Sequence, residues 1–338
     1  MHSPVTQLIT SIEHTGPWAP WLFVLLFLAA SLLMIWRLEA MNHDGFEGTV
    51  LGTLVMPYCS GVGNLIFAFL LGIHHGPGSE VMLNALVNNV TNMTLLIGLP
   101  AVIWGMNITG RPPKKSSSKN AKSGGAEKVQ KTNRLSLLLT LTAVAFFTGA
   151  TWVLARDGKL DFTDGLILVG LFLFWQCFHV FDVLKTNVQT GRSFTWMLPV
   201  DLTLLALGAF AIYLSTDWLV TWSSKNTYVN SHLGWLSGWL MVLPNALLAL
   251  YYGWRGKPEV IYSSQVGDGH ICIPLCIGIY ALYHTLNVPA FFETGVIILG
   301  TATALHFVVV AVFGGLPRFV GLTLLGSYVI FVWKGLKG

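Results

Sequence analysis

Amide side chains are concentrated in a stretch that is otherwise apolar enough to cross a bilayer. Residues 81–106 have the length that a membrane helix needs, about 20 residues, yet they contain Asn84, Asn88 and Asn92. These three asparagines are four residues apart, so on a helix they form one polar stripe, which Glu80 extends. Because lipid cannot satisfy the hydrogen bonds of amides, the stripe must face protein, water or a ligand.

The composition is that of an integral membrane protein. The chain has 338 residues, of which 54% are hydrophobic and 10% charged, and its mean hydropathy is +0.65. Soluble domains carry about 25% charged residues. The net charge of +4 is small for this length and indicates no nucleic-acid partner. The lipid bilayer is the partner that this composition implies.

No catalytic constellation is evident in the sequence. It contains no glycine-rich phosphate loop and no nucleophile with a base at usable spacing, so neither an enzyme nor a bound cofactor is predicted. The cysteines all lie in apolar segments and are expected to be small buried side chains rather than parts of a disulfide or zinc site: Cys59, Cys177, Cys272 and Cys276.

Ten apolar windows of near-membrane length divide the chain. They lie at about 18–37, 48–73, 81–106, 135–155, 162–184, 197–215, 233–254, 258–283, 289–313 and 317–334. We predict an all-α membrane protein of about ten transmembrane helices, with five in residues 1–190 and five in residues 191–338. The second, third, seventh and eighth windows contain Gly, Pro or polar residues, which is typical of helices that are broken where they line a site.

Basic residues predict the orientation of the chain. With the N-terminus outside the cytoplasm, fourteen Lys and Arg residues fall on the inner side and five on the outer side. The positive-inside rule therefore favours a plasma membrane of bacterial inner-membrane type with both termini outside the cytoplasm. Residues 107–133, rich in Lys, Ser, Gly and Pro, contribute seven of the fourteen, with Arg134 next to them as an eighth, and are predicted to be a disordered cytoplasmic loop.

The two halves share a motif pattern. Each has a kinked helix in which an asparagine follows Gly or Pro, and then a polar set on the next helix. The first half reads Ser60-Gly61-Val62-Gly63-Asn64 and Asn88-Asn89-Val90-Thr91-Asn92, and the second reads Leu243-Pro244-Asn245 and Ser264-Gln265-Val266-Gly267-Asp268. An odd number of helices per half means that any repeat is inverted across the membrane. The comparison pairs Asn64 with Asn245, and Asn92 with Asp268.

These segments resemble the alpha-repeats of the sodium/calcium exchanger superfamily, the cation/calcium antiporters. Each repeat of that family carries a Gly-Ser/Thr-Ser-x-Pro-Glu motif on one helix and a Gly-Ser-Asn-x-x-Asn/Asp motif on the next. The resemblance places alpha-repeat 1 at about 48–106 and alpha-repeat 2 at about 233–283. It implies two inverted five-helix repeats and transport by alternating access, in which the first and sixth helices move against the core.

The chain departs from the family where the family binds calcium. Asn64 and Asn245 stand at the positions of the two motif glutamates, which leaves Asp268 as the acid near mid-membrane. One negative charge suits a monovalent cation better than Ca²⁺, so selectivity is expected to be altered, and Na⁺, Ca²⁺, K⁺ and H⁺ all stay open as the transported ion. The candidate cation ligands are Asn64, Asn88, Asn92, Asn245, Ser264, Gln265 and Asp268.

Three alternatives stay open at this point. The double loss of glutamate is also compatible with a transport-inactive, exchanger-like subunit or scaffold bound to protein partners in a larger membrane complex. A membrane enzyme or lipid-handling protein would need its Asp and His residues to converge at the interface. His270 could give Asp268 a proton-linked role, or it could bond a neighbouring carbonyl. Asp201, two residues after Pro199, is predicted to be a helix cap or interface residue.

Overall fold

The computed structural model describes residues 4–43, 61–106, 123–187 and 197–337, and nearly all of them are helical. The α-helices are α1 (Pro4–Glu13), α2 (Ala19–His43), α3 (Val62–Ile73), α4 (Gly78–Val90), α5 (Ile97–Trp104), α6 (Ser123–Leu154), α7 (Phe162–Asn187), α8 (Leu198–Ser224), α9 (Thr227–Asn230), α10 (Leu233–Trp254), α11 (Pro258–Ile271), α12 (Ile277–Tyr283), α13 (Phe292–Phe313) and α14 (Arg318–Gly335). Two short strands, β1 (Lys159–Leu160) and β2 (Leu286–Asn287), pair antiparallel.

Seven helical segments of the described chain are long and apolar enough to cross a membrane. They are Gly16–Met41, Gly78–Trp104, Arg134–Asp157, Leu198–Ser224, Leu233–Trp254, Val260–Tyr283 and Phe292–Phe313, and two shorter apolar helices cover Val62–Ile73 and Phe162–Phe178. The prediction of an all-α integral membrane protein is therefore confirmed. Helix is present in each of the ten predicted windows, while the count of ten spans stays a prediction.

Some predicted boundaries differ from the observed ones. Helix α6 already begins at Ser123, so the last part of the predicted 107–133 loop is helical, and residues 107–122 lie outside the described residues. Helix α8 continues to Ser224, nine residues beyond the predicted window, because no Gly or Pro interrupts residues 209–224. The short helix α1, at Pro4–Glu13, was not predicted.

Two of the four windows predicted to contain broken helices, the third and the eighth, each include a π-helical segment. Thr91–Leu96 separates α4 from α5, and Cys272–Cys276 separates α11 from α12. In the first segment, the hydroxyl of Thr91 donates to the Val87 carbonyl at 2.6 Å and competes with the backbone donor. In the second, Pro274 has no N–H to donate. π-Helical turns are rare overall, and those that occur are frequently at functional sites. Here one lies at the corresponding place in each half.

Contacts between the halves occur as exchanged pairs. Gly98 in α5 packs on Gly321 in α14, and Gly278 in α12 packs on Gly165 in α7, so closely that a Cβ on Gly321 would lie 2.8 Å from the Gly98 carbonyl oxygen. In each contact, the helix after a π-helical segment of one half packs on the last helix of the other half. This pattern is the one expected of the two predicted repeats.

The backbone bridges beside these glycine contacts follow the same rule. Met106, after α5, forms a bridge with Leu316, before α14. Strand β2, after α12, pairs with β1, before α7, in the register Leu160 to Leu286. The C-terminal ends of α5 and α12, which follow the two π-helical segments, are thus each bonded to the opposite half.

Replacing Gly321 by Ala is expected to destabilise the protein by about 1–3 kcal/mol, because the new methyl group would overlap the Gly98 carbonyl. Thermal unfolding of the purified protein in detergent measures the effect. Gly326 is the matched control on the same helix, since a Cβ there meets no atom within 4 Å. Gly326→Ala should leave stability unchanged or raise it by up to about 1 kcal/mol. Equal effects of the two substitutions would contradict the close α5–α14 contact.

Candidate functional site

A ladder of hydrogen-bonded amides joins α3 to α4 in the first half. The Asn88 amide donates to Asn64 Oδ1 at 3.3 Å, and the Asn92 amide donates to Asn88 Oδ1 at 2.9 Å. All three side chains are buried. The i, i+4 spacing read from the sequence therefore produces a continuous polar chain within the protein, as the inability of lipid to satisfy amides requires.

The same stripe continues along α4 against α10. Asn84 donates through Nδ2 to Ser237 Oγ at 3.0 Å, and Glu80 Oε2 accepts from the backbone N–H of Gly234 at 2.6 Å. The absence of a side chain on Gly234 lets α4 approach, because a Cβ there would lie 2.7 Å from the Glu80 carbonyl oxygen. Glu80 and Asn84 thus bond α4 to α10, a helix of the second half.

The second half has one corresponding hydrogen bond. The Asn245 amide on α10 donates to the Asp268 carboxylate on α11, and both side chains are at least nine-tenths buried. This pair matches the Asn64–Asn88 pair helix for helix. Asn88 and Asp268 are each followed ten residues later by the close-packed glycines Gly98 and Gly278.

This register corrects the pairing of Asn92 with Asp268. The residue that corresponds to Asp268 is Asn88, one helical turn earlier, and the residue that corresponds to Asn92 is Cys272. The motif comparison aligned the last polar residue of each set. It missed the correct register because the thiol at position 272 occupies the place of an amide and does not read as polar.

The two halves meet directly between these helices. Cys272 Sγ donates to Asn88 Oδ1 at 3.7 Å, and the Asn89 amide donates to the Gly269 carbonyl at 3.3 Å. Cys272 and Cys276 are buried as predicted, whereas Cys177 is exposed because it lies on the outer face of α7. Cys59 lies outside the described residues.

The remaining predicted site residues have different surroundings. Ser264 lies one turn before Asp268 on the same face of α11 and is half-buried. Gln265 is fully buried, and neither end of its amide has a hydrogen-bond partner among the described residues. It therefore makes no hydrogen bond to the Asn–Asp set. The side chain of His270 lies outside the described side chains.

A small cavity adjoins the two asparagines that replace the family's glutamates. Its volume is about 20 Å³, enough for one water molecule or one bare ion. Asn64 and Asn245 line it from the core, and Ser31 lines it from α2. Sequence reasoning missed Ser31, although it is the one hydroxyl-bearing side chain within residues 21–36, which are otherwise apolar apart from the indole N–H groups. The remaining lining residues are Phe27, Ile35, Val62, Gly63, Ile212, Met241 and Pro244.

Helices α2 and α8 form a closely packed pair on the far side of this cavity. Gly208 on α8 lets Met34 approach, since a Cβ there would lie 2.5 Å from Met34 Cγ. Arg37 and Asp201 form an ion pair at 3.1 Å. Asp201 is therefore not a helix cap; α8 begins at Leu198, and the first turn points this carboxylate at α2. The interface part of the prediction is consistent with this contact.

Replacing Asp201 by Asn is expected to cost about 3 kcal/mol or more, because it leaves the Arg37 guanidinium without its charge partner where only 12% of that side chain is exposed. Asp217 provides the control on the same helix. It pairs with His74 at 3.7 Å, but both side chains are largely solvent-exposed, so Asp217→Asn should cost less than about 1 kcal/mol. Thermal unfolding of both variants checks the difference, and a loss of stability confined to Asp217→Asn would overturn it.

Comparison with known proteins was made by sequence and by fold. Residues 17–181 match the family described as sodium/calcium exchanger protein. This match covers just under half of the chain and assigns residues 17–181 to the sodium/calcium exchanger family. The match supports a membrane cation transporter of the exchanger type rather than an enzyme. Comparison with curated protein sequences finds no match.

Solved structures of the sodium-calcium exchanger NCX_Mj share the fold of this chain. The form soaked with 2.5 mM Na⁺ and 10 mM Sr²⁺ is 18% identical with a TM-score of 0.61, over 93% of this chain and 96% of that one. The form with 2.5 mM Na⁺ and 1 mM Sr²⁺ gives 18% and 0.62 over the same shares. The form without Na⁺ and Ca²⁺ gives 18% and 0.61, over 93% and 97%. The likeness extends over nearly the whole of both chains.

Proposed function

We propose that this exchanger moves a cation by alternating access around a site formed by Asn64, Asn88, Asn245 and Asp268. The observation that carries the proposal is the matched pair of hydrogen bonds, one per half, beside a cavity of ionic size. Amide and carboxylate oxygens can replace the hydration shell of a cation. Asn92 and Ser264 extend the site along α4 and α11 by one turn.

The α2/α8 pair is the element proposed to move. The cavity lies between this pair and the core helices α3 and α10, so relative movement would open it. Near one end of the pair, the Tyr252 hydroxyl on α10 donates to the Glu39 carboxylate on α2. At the other end, His74 after α3 contacts Asp217 on α8. These contacts join core to moving pair at opposite faces, and alternating access would break them in turn.

The charge of the site supports altered ion selectivity. Asp268 is the one acid of the set, and no group of three or more His, Cys, Asp or Glu side chains in the described part of the chain is placed to hold a metal ion. Calcium sites usually combine several oxygens with more than one carboxylate. A site with one formal charge holds Na⁺ or K⁺ at lower cost than Ca²⁺ when its amides supply the other oxygens.

The proposed orientation has both termini outside the cytoplasm, in a plasma membrane of bacterial inner-membrane type. Its support is the excess of Lys and Arg on the side of Arg37, Arg255, Lys257 and Arg318. The two repeats proposed for residues 1–190 and 191–338 would then place alpha-repeat 1 and alpha-repeat 2 in opposite orientations.

Reconstitution tests the function directly. The full chain is reconstituted in proteoliposomes, a gradient of Na⁺, K⁺, Ca²⁺ or H⁺ is imposed in turn, and counterflow of each cation is measured. We expect gradient-driven flux of at least one monovalent cation and weaker flux of Ca²⁺. Absence of any cation flux, with stoichiometric partner chains co-purifying, would replace this proposal by the inactive-subunit alternative.

A further inference from the structure

Cys272 belongs to the buried core and also contacts the polar ladder. Its side chain is fully buried, and its thiol donates to the same Asn88 oxygen that accepts from Asn92. It stands at the first residue of the second π-helical segment, at the position that corresponds to Asn92. The Cys272 thiol therefore contacts the central amide of the proposed site.

We propose that the cation exchanged against a monovalent ion at this site is a thiophilic divalent cation of the Zn²⁺ or Cd²⁺ type, with Asp268 and Cys272 as its charged ligands. This inference rests on the proposed function and specifies its substrate class. Asp268 and Cys272 are four residues apart on one helix, where side chains are neighbours. A carboxylate and a thiolate together supply two negative charges, which balance the charge of a divalent ion. The carboxylate alone supplies only one.

The donor types select the ion. Ca²⁺ and Mg²⁺ prefer sites made only of oxygen, whereas a thiolate favours softer ions such as Zn²⁺ and Cd²⁺. On binding, the Cys272 S–H bond breaks, an Sγ–metal bond forms, and the proton leaves to solvent. The selectivity of the site would therefore depend on Cys272, the residue that stands in the second half where the first half has Asn92.

Asn92 and Met241 offer two further candidate ligand atoms. Asn92 Oδ1 is fully buried and has no hydrogen-bond partner among the described residues, although the amide nitrogen of the same side chain bonds Asn88. Burying an unpaired carbonyl is unfavourable, and a bound cation would give this oxygen a partner. Met241 adds a thioether on the cavity side, close to α3, since a Cβ on Gly63 would lie 2.6 Å from its sulfur.

The test measures Cd²⁺ binding to the purified full chain. Cadmium–thiolate bonds absorb in the ultraviolet, so titration reports both affinity and the ligand type. We expect the band in the wild type, and in Cys272→Ser we expect loss of the band with at least a tenfold weaker Cd²⁺ affinity. Cys177→Ser, at the exposed thiol of α7, is the control and should behave as wild type. An unchanged band and affinity in Cys272→Ser would overturn the inference.

Flux separates this inference from the function on which it rests. Cd²⁺ and Zn²⁺ should compete with the transported cation in wild-type proteoliposomes and lose at least tenfold in potency in Cys272→Ser. Monovalent flux that depends on Asp268 but is indifferent to Cd²⁺ and to Cys272→Ser would overturn the thiophilic cargo while retaining the exchanger. Absence of every flux would overturn both. Unchanged melting of Cys272→Ser in detergent shows that the variant is folded.

Discussion

Replacing Asp268 by Asn is expected to lower cation flux at least a hundredfold while the protein still folds. The substitution removes the one formal charge of the proposed site but keeps an oxygen that can accept from the Asn245 amide. Structure around α10 and α11 should therefore be retained. Counterflow in proteoliposomes measures the loss, and thermal unfolding in detergent measures the fold.

Glu293→Gln is the matched control for this loss of an acid. Glu293 lies in the first turn of α13, is exposed, and has no part in the proposed site. Its neutralisation should leave flux within about twofold of the wild type, because an exposed charge at a helix end contributes little. Comparable flux from Asp268→Asn and the wild type would show that the carboxylate does not contact the cargo.

Restoring glutamate at both positions that face the cavity should raise Ca²⁺ affinity at least tenfold. Asn64→Glu and Asn245→Glu together add two carboxylates to the one at Asp268, which is the donor set that Ca²⁺ prefers. Isothermal titration with Ca²⁺ and Ca²⁺ flux measure the gain. An unchanged Ca²⁺ affinity in a folded double variant would place these two side chains outside the ion path.

The two single variants should differ in a way that the hydrogen bonds specify. Asn64 accepts from the Asn88 amide, and a glutamate there can still accept, so Asn64→Glu should fold without added cation. Asn245 donates to Asp268, and a glutamate there would face another carboxylate. Asn245→Glu should therefore unfold at lower temperature, and Ca²⁺ should restore the loss by neutralising the pair. Equal stability of the two variants without Ca²⁺ would contradict this asymmetry.

Periodicity revealed the members of the site but not their partners. Three asparagines at intervals of four residues had to share a face, and α4 with the π-helical segment that follows it has them on one face, in contact with α3 and α10. The apolar windows likewise identified the membrane helices because the length of a helix that crosses lipid is fixed by the bilayer. The resemblance to the sodium/calcium exchanger family was visible because the motifs keep their positions in each half, although Asn64 and Asn245 replace the motif glutamates.

Other features depend on contacts that no local pattern specifies. Arg37 and Asp201 are 164 residues apart, so their ion pair is fixed by the packing of α2 on α8. The correspondence of Asn88 with Asp268 depends on glycine contacts ten residues further along each chain segment. Cys272 reads as an apolar residue until its distance to Asn88 is known. Chemistry that is shared between distant segments becomes visible only when both are in place.

The exchanged bridges between the halves have a consequence for biosynthesis. Met106 completes its pairing only with Leu316, and β1 only with β2, more than 120 residues later in the chain. The surfaces of α5 and α7 that carry Gly98 and Gly165 therefore stay uncovered in the membrane until α14 and α12 are synthesised. Neither half can complete its fold alone during translation, and a chain that stops after the first half should be a substrate for membrane quality control.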